Sequence, residues 1–191
     1  TCGEGGAVVT RDKKMYESIV RKRILGIDKD TWSRYKNERS WSYDVIEQGY
    51  RYHMSNINAA IGLVQIKKFE QMNKRKIDIA KRYDKEFAHI DAISLLRTEY
   101  EDLGLFTYII KVKERRDELM VYLKERGIGS GIHYIPVHHF TYYKRFLRNP
   151  LPITDRVYEE ILTLPLYPDM TDEETDLVIK GIQSFFSKSQ K

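Results

Sequence analysis

The chain has 191 residues, enough for one medium domain or a domain plus part of another. Its hydrophobic content of 41%, with 23 aromatics (2 Trp, 14 Tyr, 7 Phe), is ample for a core. Thirty-three basic against 28 acidic residues leave a net charge of +5, mixed along the chain rather than blocked, which suits an anionic ligand such as a phosphate or nucleotide.

The single Cys2 excludes an intrachain disulfide and argues for a reducing, cytoplasmic setting. No apolar run reaches the roughly 18 residues that a membrane-spanning helix needs. There is neither a signal peptide nor an initiator Met, and the chain enters a glycine turn at once, so it reads as the downstream part of something longer.

Thr1 to Gly6 (TCGEGG) is a turn, and Ala7 to Thr10 (AVVT), apolar and β-branched, predicts a short buried strand. Arg11 to Arg23 carries Met15, Ile19 and Val20 at helical spacing and ends near Gly26. Strand then helix suggests the last unit of an α/β layer. Gly26 to Gln48 has no clean period and mixes Lys29, Arg34, Lys36 and Arg39 with Trp32, Tyr35, Trp41 and Tyr43. Such a mixture serves nucleic-acid stacking or a loop docked on a partner subunit, and no RNA-binding signature accompanies it.

The segment Gly49 to Phe69 (GYRYHMSNINAAIGLVQIKKF) gathers Arg51 and His53 where an apolar helix begins. Ser55 or Asn56 can cap that helix, and its N-terminus is either a candidate anion site or simply a capped core helix. The helix continues to about His89, on the order of 50 Å at 1.5 Å per residue, and is suited to linking two domains. Beyond it, Ile93 to Leu96 and Leu105 to Val112 predict strands, and Glu114 to Arg126 predicts a helix stopping at Gly127. Ile128 to Val137 reads as extended. Short helices are expected over Tyr142–Leu147 and Asp155–Leu162, then an extended Thr163–Leu166. A last helix begins after the cap Thr171, with Glu174 completing a capping box, and runs to Phe186.

His133, His138 and His139 fall within HYIPVHH. Three imidazoles invite a zinc reading, but no acidic or sulfur ligand sits nearby in sequence, and no metal is assigned. A substrate-facing pair, His133 and His138, and histidines tied to backbone are comparable readings of the chemistry alone. The GEGG turn lacks the lysine and spacing of a P-loop. No nucleophile, base and acid fall together.

Four segments in order, GEGGAVVT, GYRYHMSNINAAIGLVQ, GIGSGIHYIPVHH and LPLYPDMTDEETDLVIKGI, resemble the DegT/DnrJ/EryC1/StrS family of pyridoxal-phosphate sugar aminotransferases over nearly all 191 residues. The resemblance implies an α/β fold class, the C-terminal part of a fold-type I transferase. Residues 1–53 would end the large cofactor-binding domain and form an inter-subunit loop, 54–89 an interdomain helix, and 90–191 a small α+β domain. It implies pyridoxal 5'-phosphate as cofactor, a nucleotide-linked keto-sugar and an amino donor such as glutamate as substrates, and a homodimer. No nucleic acid or membrane is implied.

In that family the lysine that holds the cofactor lies a few residues before the GEGG turn, hence before Thr1, so no lysine of this chain takes the role. Arg51 falls where an asparagine reaches the phosphate of the partner subunit's cofactor, and an arginine can bind that phosphate bidentately. His53 falls where arginine is usual, and Leu25 where a histidine often precedes the glycine. His133, Tyr134 and His138 match the family's HY-x-P-x-H segment beside the sugar-nucleotide. Two other outcomes fit the same residues: a sister sugar dehydratase with histidine in place of the lysine, or a truncated module that only dimerises or binds a sugar-nucleotide.

Overall fold

The computed structural model describes residues 1–28 and 43–187. The chain divides into two compact units, Thr1–Phe69 and Glu70–Lys191.

In the first unit, helix α1 (Lys13–Lys22) is capped by Asp12, whose carboxylate accepts from the Lys14 and Met15 amides at 2.8 and 3.3 Å. Arg21 and Lys22 in its last turn face the negative end of the helix dipole. The predicted strand over Ala7–Thr10 does not form. A strand exists only in a ladder, no described segment pairs with these residues, and Val8 and Val9 are exposed. Helix α2 (Asn56–Phe87) starts at the cap Ser55, whose hydroxyl accepts from the Asn58 amide at 3.2 Å. It is 32 residues long, roughly 48 Å. Of the base-and-aromatic mixture, Lys29 to Trp41 lies outside the described residues.

The second unit is a three-stranded antiparallel sheet in the order β1 (Ile93–Leu95), β2 (Tyr108–Val112), β3 (Ile161–Leu164). Strand β2 alternates in burial: Tyr108, Ile110 and Val112 are buried, while Ile109 and Lys111 are half-buried. On the buried face lie the last turns of α2, helix α3 (Arg116–Lys124) and helix α6 (Asp172–Ser187). Their largest contributions are Tyr83, Phe87, Leu119, Leu123 and Ile182, each fully buried.

A 3-10 turn (Val137–His139), a single helical turn α4 (Thr141–Lys144) and helix α5 (Pro152–Glu160) connect α3 to β3. Helix α5 begins three residues before the predicted start because Pro152 sits at its first turn, where its fixed φ fits and its missing N–H costs nothing. It ends earlier because Ile161 and Leu162 pair with Lys111 and Ile110 of β2. The Arg116 guanidinium, buried, donates at 3.0 Å to the carbonyls of Tyr158 and Ile161, satisfying groups that the end of α5 leaves open.

The capping box of α6 forms in both directions. The Glu174 amide donates to Thr171 Oγ1 at 3.1 Å, and the Thr171 amide donates to the Glu174 carboxylate at 2.8 Å. Thr171→Ala is therefore expected to lower the stability of this unit by about 1 kcal/mol, read from urea unfolding. A loss below about 0.3 kcal/mol would show that the reciprocal bond does not matter here.

Candidate functional site

The first candidate surface is the strand-like segment that carries Arg51. Its backbone is fastened to the end of α1 by three bonds: Tyr50 N–H to Lys22 O at 2.6 Å, Leu25 N–H to Tyr50 O at 3.0 Å and Tyr52 N–H to Arg23 O at 2.9 Å. Arg51 pairs with Ile24 in an antiparallel bridge.

The close approach needs two glycines. A Cβ on Gly26, whose φ is +72°, would lie 1.9 Å from the Glu47 carbonyl oxygen, and one on Gly49 would lie 2.0 Å from the Gly26 nitrogen. Leu25 is left-handed at φ 60°. Glu47 adds ion pairs to Arg21 at 2.8 Å and Lys22 at 3.5 Å. The Arg21 hydrogen bond, with the charges of Arg21 and Lys22, holds its carboxyl below the usual range. The result is a rigid mount on which Tyr50 and Tyr52 stack, centroids 5.1 Å apart and planes 5° apart. Between them in sequence, Arg51 is exposed, as is His53.

The start of α2 is less open than the sequence suggests. The Asn58 amide is taken by Ser55, and the Asn58 side chain donates to the Glu4 carbonyl at 3.1 Å, so the GEGG turn lies against this helix end. The lysines nearest that turn, Lys13 and Lys14, are both exposed, which leaves neither as a buried amine.

The second surface is the HYIPVHH segment. Gly131 forms a two-way bridge with Thr163 of β3, at 3.1 and 2.8 Å, which aligns the segment beside the sheet. His133 Nδ1 then bonds the Thr163 hydroxyl at 2.9 Å, and the His133 ring meets Tyr134 edge-on at 4.8 Å. The peptide between His133 and Tyr134 is cis. Both side chains are exposed, Tyr134 by 70%.

His138 is held differently from His133. Its Nε2 lies 2.7 Å from Asp155 Oδ1, and His139 Nε2 lies 2.7 Å from the same oxygen. The carboxyl of Asp155 is held below its usual range by the hydrogen bonds of His138 first and His139 second. The structure therefore holds His133 and His138 on separate partners, both of them side chains.

His139, already one of the three imidazoles of HYIPVHH, and Asp155, which sequence reasoning passed over as a site residue, complete the second cluster. Asp155 is 17 residues from His138, and its signal was the placement of an acid in the first turn of a helix that the fold returns to the histidines.

Known proteins resemble this chain along nearly its whole length. A model of the DegT/DnrJ/EryC1/StrS aminotransferase family matches residues 1–183. The uncharacterized protein MJ1066 of Methanocaldococcus jannaschii is 35% identical over 199 aligned residues, covering 100% of this chain and 52% of its own length. The spore coat polysaccharide biosynthesis protein SpsC of Bacillus subtilis is 35% identical over 193 residues, covering 95% of this chain and 49% of SpsC. The crystal structure of the sugar aminotransferase CalS13 from Micromonospora echinospora superposes with a TM-score of 0.82 at 29% identity, over 96% of this chain and 48% of that one. The chain thus spans about half the length of the curated relatives it matches. No helix among the described residues is long and apolar enough to cross a membrane.

Proposed function

Because the chain belongs to the DegT/DnrJ/EryC1/StrS aminotransferase family, we propose that it forms part of a pyridoxal-phosphate enzyme that aminates a nucleotide-linked keto-sugar. The amino donor would be glutamate, the setting the cytoplasm, and the assembly a homodimer whose sites draw on both subunits. Amino-sugar synthesis for a surface polysaccharide or a secondary metabolite is the corresponding role. The observation that carries this reading is the family match across residues 1–183, with all four motifs inside it.

Bound pyridoxal phosphate supplies an electron sink that allows an amino group to be exchanged for a carbonyl. Arg51 would hold the phosphate of the partner's cofactor; its planar guanidinium with several donors suits a phosphate, and the backbone on either side of it is hydrogen-bonded to the end of α1. In the substrate wall, Thr163 orients His133 through Nδ1 and leaves Nε2 for the sugar-nucleotide. Tyr134 offers an exposed ring and hydroxyl beside it. Asp155 orients His138 through Nε2 and leaves Nδ1.

The test is an amino-transfer assay on the purified polypeptide encoded by the reading frame that contains this chain, with pyridoxal phosphate, glutamate and a nucleotide-linked keto-sugar. Formation of 2-oxoglutarate and an amino-sugar nucleotide is expected. A deoxygenated sugar would turn the reading to dehydration, and cofactor-loaded protein without turnover would overturn it. The 191-residue chain by itself is expected to show no transamination.

Arg51→Ala in the intact dimer is expected to weaken pyridoxal-phosphate affinity at least tenfold, the effect of losing a charge-assisted bond of about 1.5–3 kcal/mol. Arg51→Asn, carrying the family's usual residue, is expected to recover most of it. Absorbance titration of the cofactor decides the point, and unchanged affinity in the alanine variant would remove Arg51 from the phosphate site.

A further inference from the structure

We propose that His138, His139 and Asp155 form a binding site for a divalent transition-metal ion of the zinc type. This revises the expectation of no metal, which rested on the lack of an acidic ligand near the histidines in sequence. It shares His138 with the substrate wall of the amino-transfer reading, but metal analysis reads binding and not turnover, so the two readings fail on separate measurements.

Three donor atoms converge: His138 Nε2, His139 Nε2 and a carboxylate oxygen of Asp155 all lie within 4.8 Å of one another. An ion with bonds of about 2.0–2.2 Å holds its ligand atoms roughly 3–4 Å apart, so modest opening of the present hydrogen bonds seats it. Two imidazole nitrogens and one carboxylate oxygen are a donor set that zinc and its neighbours favour, and three protein ligands leave a position for water.

Consecutive histidines rarely aim at one point. Here the 3-10 turn crosses their rings at 82° with centroids 4.5 Å apart, which brings both Nε2 atoms to the same oxygen. The turn is fixed by His139 N–H to Pro136 O at 2.9 Å and Phe140 N–H to Val137 O at 3.1 Å. The Tyr158 ring from α5 backs His139 edge-on at 5.3 Å. Among the described residues Asp155 pairs with these two imidazoles and with no lysine or arginine, so no fixed cation occupies the place of the ion. Side-chain exposures of 12% for His138, 35% for His139 and 41% for Asp155 leave the cluster open to solvent ions while sheltering one ligand.

Both nitrogens can present lone pairs when each imidazole carries its proton on Nδ1. The ion then replaces the two hydrogen bonds to Asp155 with three bonds to itself, and no redox step is involved.

The experiment is equilibrium dialysis of the untagged, chelator-treated 191-residue chain against zinc chloride, followed by metal analysis. One zinc per chain is expected, together with a rise in Tm on adding zinc. His139→Ala, His139→Gln and Asp155→Asn are each expected to weaken binding at least tenfold. Cys2→Ser and His89→Ala, at potential ligands outside the cluster, are expected to leave it unchanged. Cobalt in place of zinc should give visible absorption that the Asp155→Asn variant lacks. The proposal is overturned if no zinc binds, or if bound zinc survives in the folded His139→Gln and Asp155→Asn variants.

Discussion

Replacing Phe87 by alanine is expected to destabilise the Glu70–Lys191 unit by about 3–5 kcal/mol, the usual cost of emptying a large aromatic site in a core. Phe87 is 0% exposed and closes the buried end of α2, stacked on Tyr83 with centroids 5.4 Å apart and planes 17° apart. Tyr83 in turn meets Tyr108 of β2 at 5.0 Å, so the cavity would open where helix and sheet are joined. Neither tyrosine can collapse into the gap freely. The Tyr83 hydroxyl donates to the Pro165 carbonyl at 3.1 Å, and that of Tyr108 is tied to Asp84. For a unit whose total stability is on the order of 5–15 kcal/mol, the loss is a large fraction and corresponds to a fall in Tm of roughly 10–20 °C. Val121→Ala, on the exposed side of α3, is the matching control and should stay within about 0.5 kcal/mol. Thermal unfolding followed by circular dichroism compares the two. A loss below about 1 kcal/mol for Phe87→Ala would mean that the core is looser than its packing indicates.

What could be read from the sequence follows from how local each cause is. The capping box of Thr171 and Glu174 spans three residues and closes on itself, so its signature is complete in the text of the chain. Strand β2 was legible because β-branched and aromatic residues crowd its short stretch, although the reading began three residues early, at Leu105. Ala7–Thr10 has the same β-branched character yet makes no strand, because pairing is supplied by another segment and composition cannot show whether one is there. The site divides along the same line. GYRYHM and HYIPVHH stand out as motifs, and a family resemblance gives Arg51, His133, Tyr134 and His138 their proposed roles. Asp155 could not be found this way, since its meeting with the histidines depends on the path through α4 and α5. Asp84 was missed for a different reason. It sits in the later, lysine- and arginine-rich half of α2, which reads as a solvated face, yet its carboxylate accepts from Tyr108 of β2 and from Tyr100 in the β1–β2 connection.

That carboxylate carries the second large effect. Asp84→Ala is expected to cost about 2–4 kcal/mol, because Asp84 accepts from the Tyr100 hydroxyl at 2.6 Å and from the Tyr108 hydroxyl at 2.7 Å. Hydrogen bonds to an ionised group contribute roughly 1.5–3 kcal/mol each, and the Tyr108 ring is only 5% exposed, so its hydroxyl would be left without a replacement. Asp84→Asn keeps one acceptor oxygen and should cost about half as much.

The same cluster sets an alkaline limit. Burial first, and then the Asp84 hydrogen bond and charge, push both phenols well above the ordinary tyrosine value. Below about pH 10 the tyrosines are protonated in both folded and unfolded chains and stability does not change on their account. Above it the unfolded chain releases phenolic protons that the folded chain retains. The unfolded state then binds fewer protons, so stability falls as pH rises. Tyr108→Phe removes one of the two phenols. It should be less stable than the parent chain at neutral pH, where Asp84 loses a donor, and should lose less stability between about pH 9 and pH 11. Parallel urea curves at these two pH values are the measurement. If the parent and the Tyr108→Phe chain lost equal stability over that interval, the Tyr108 phenol would have to ionise in the folded state, and the buried pair with Asp84 could not be the arrangement in solution.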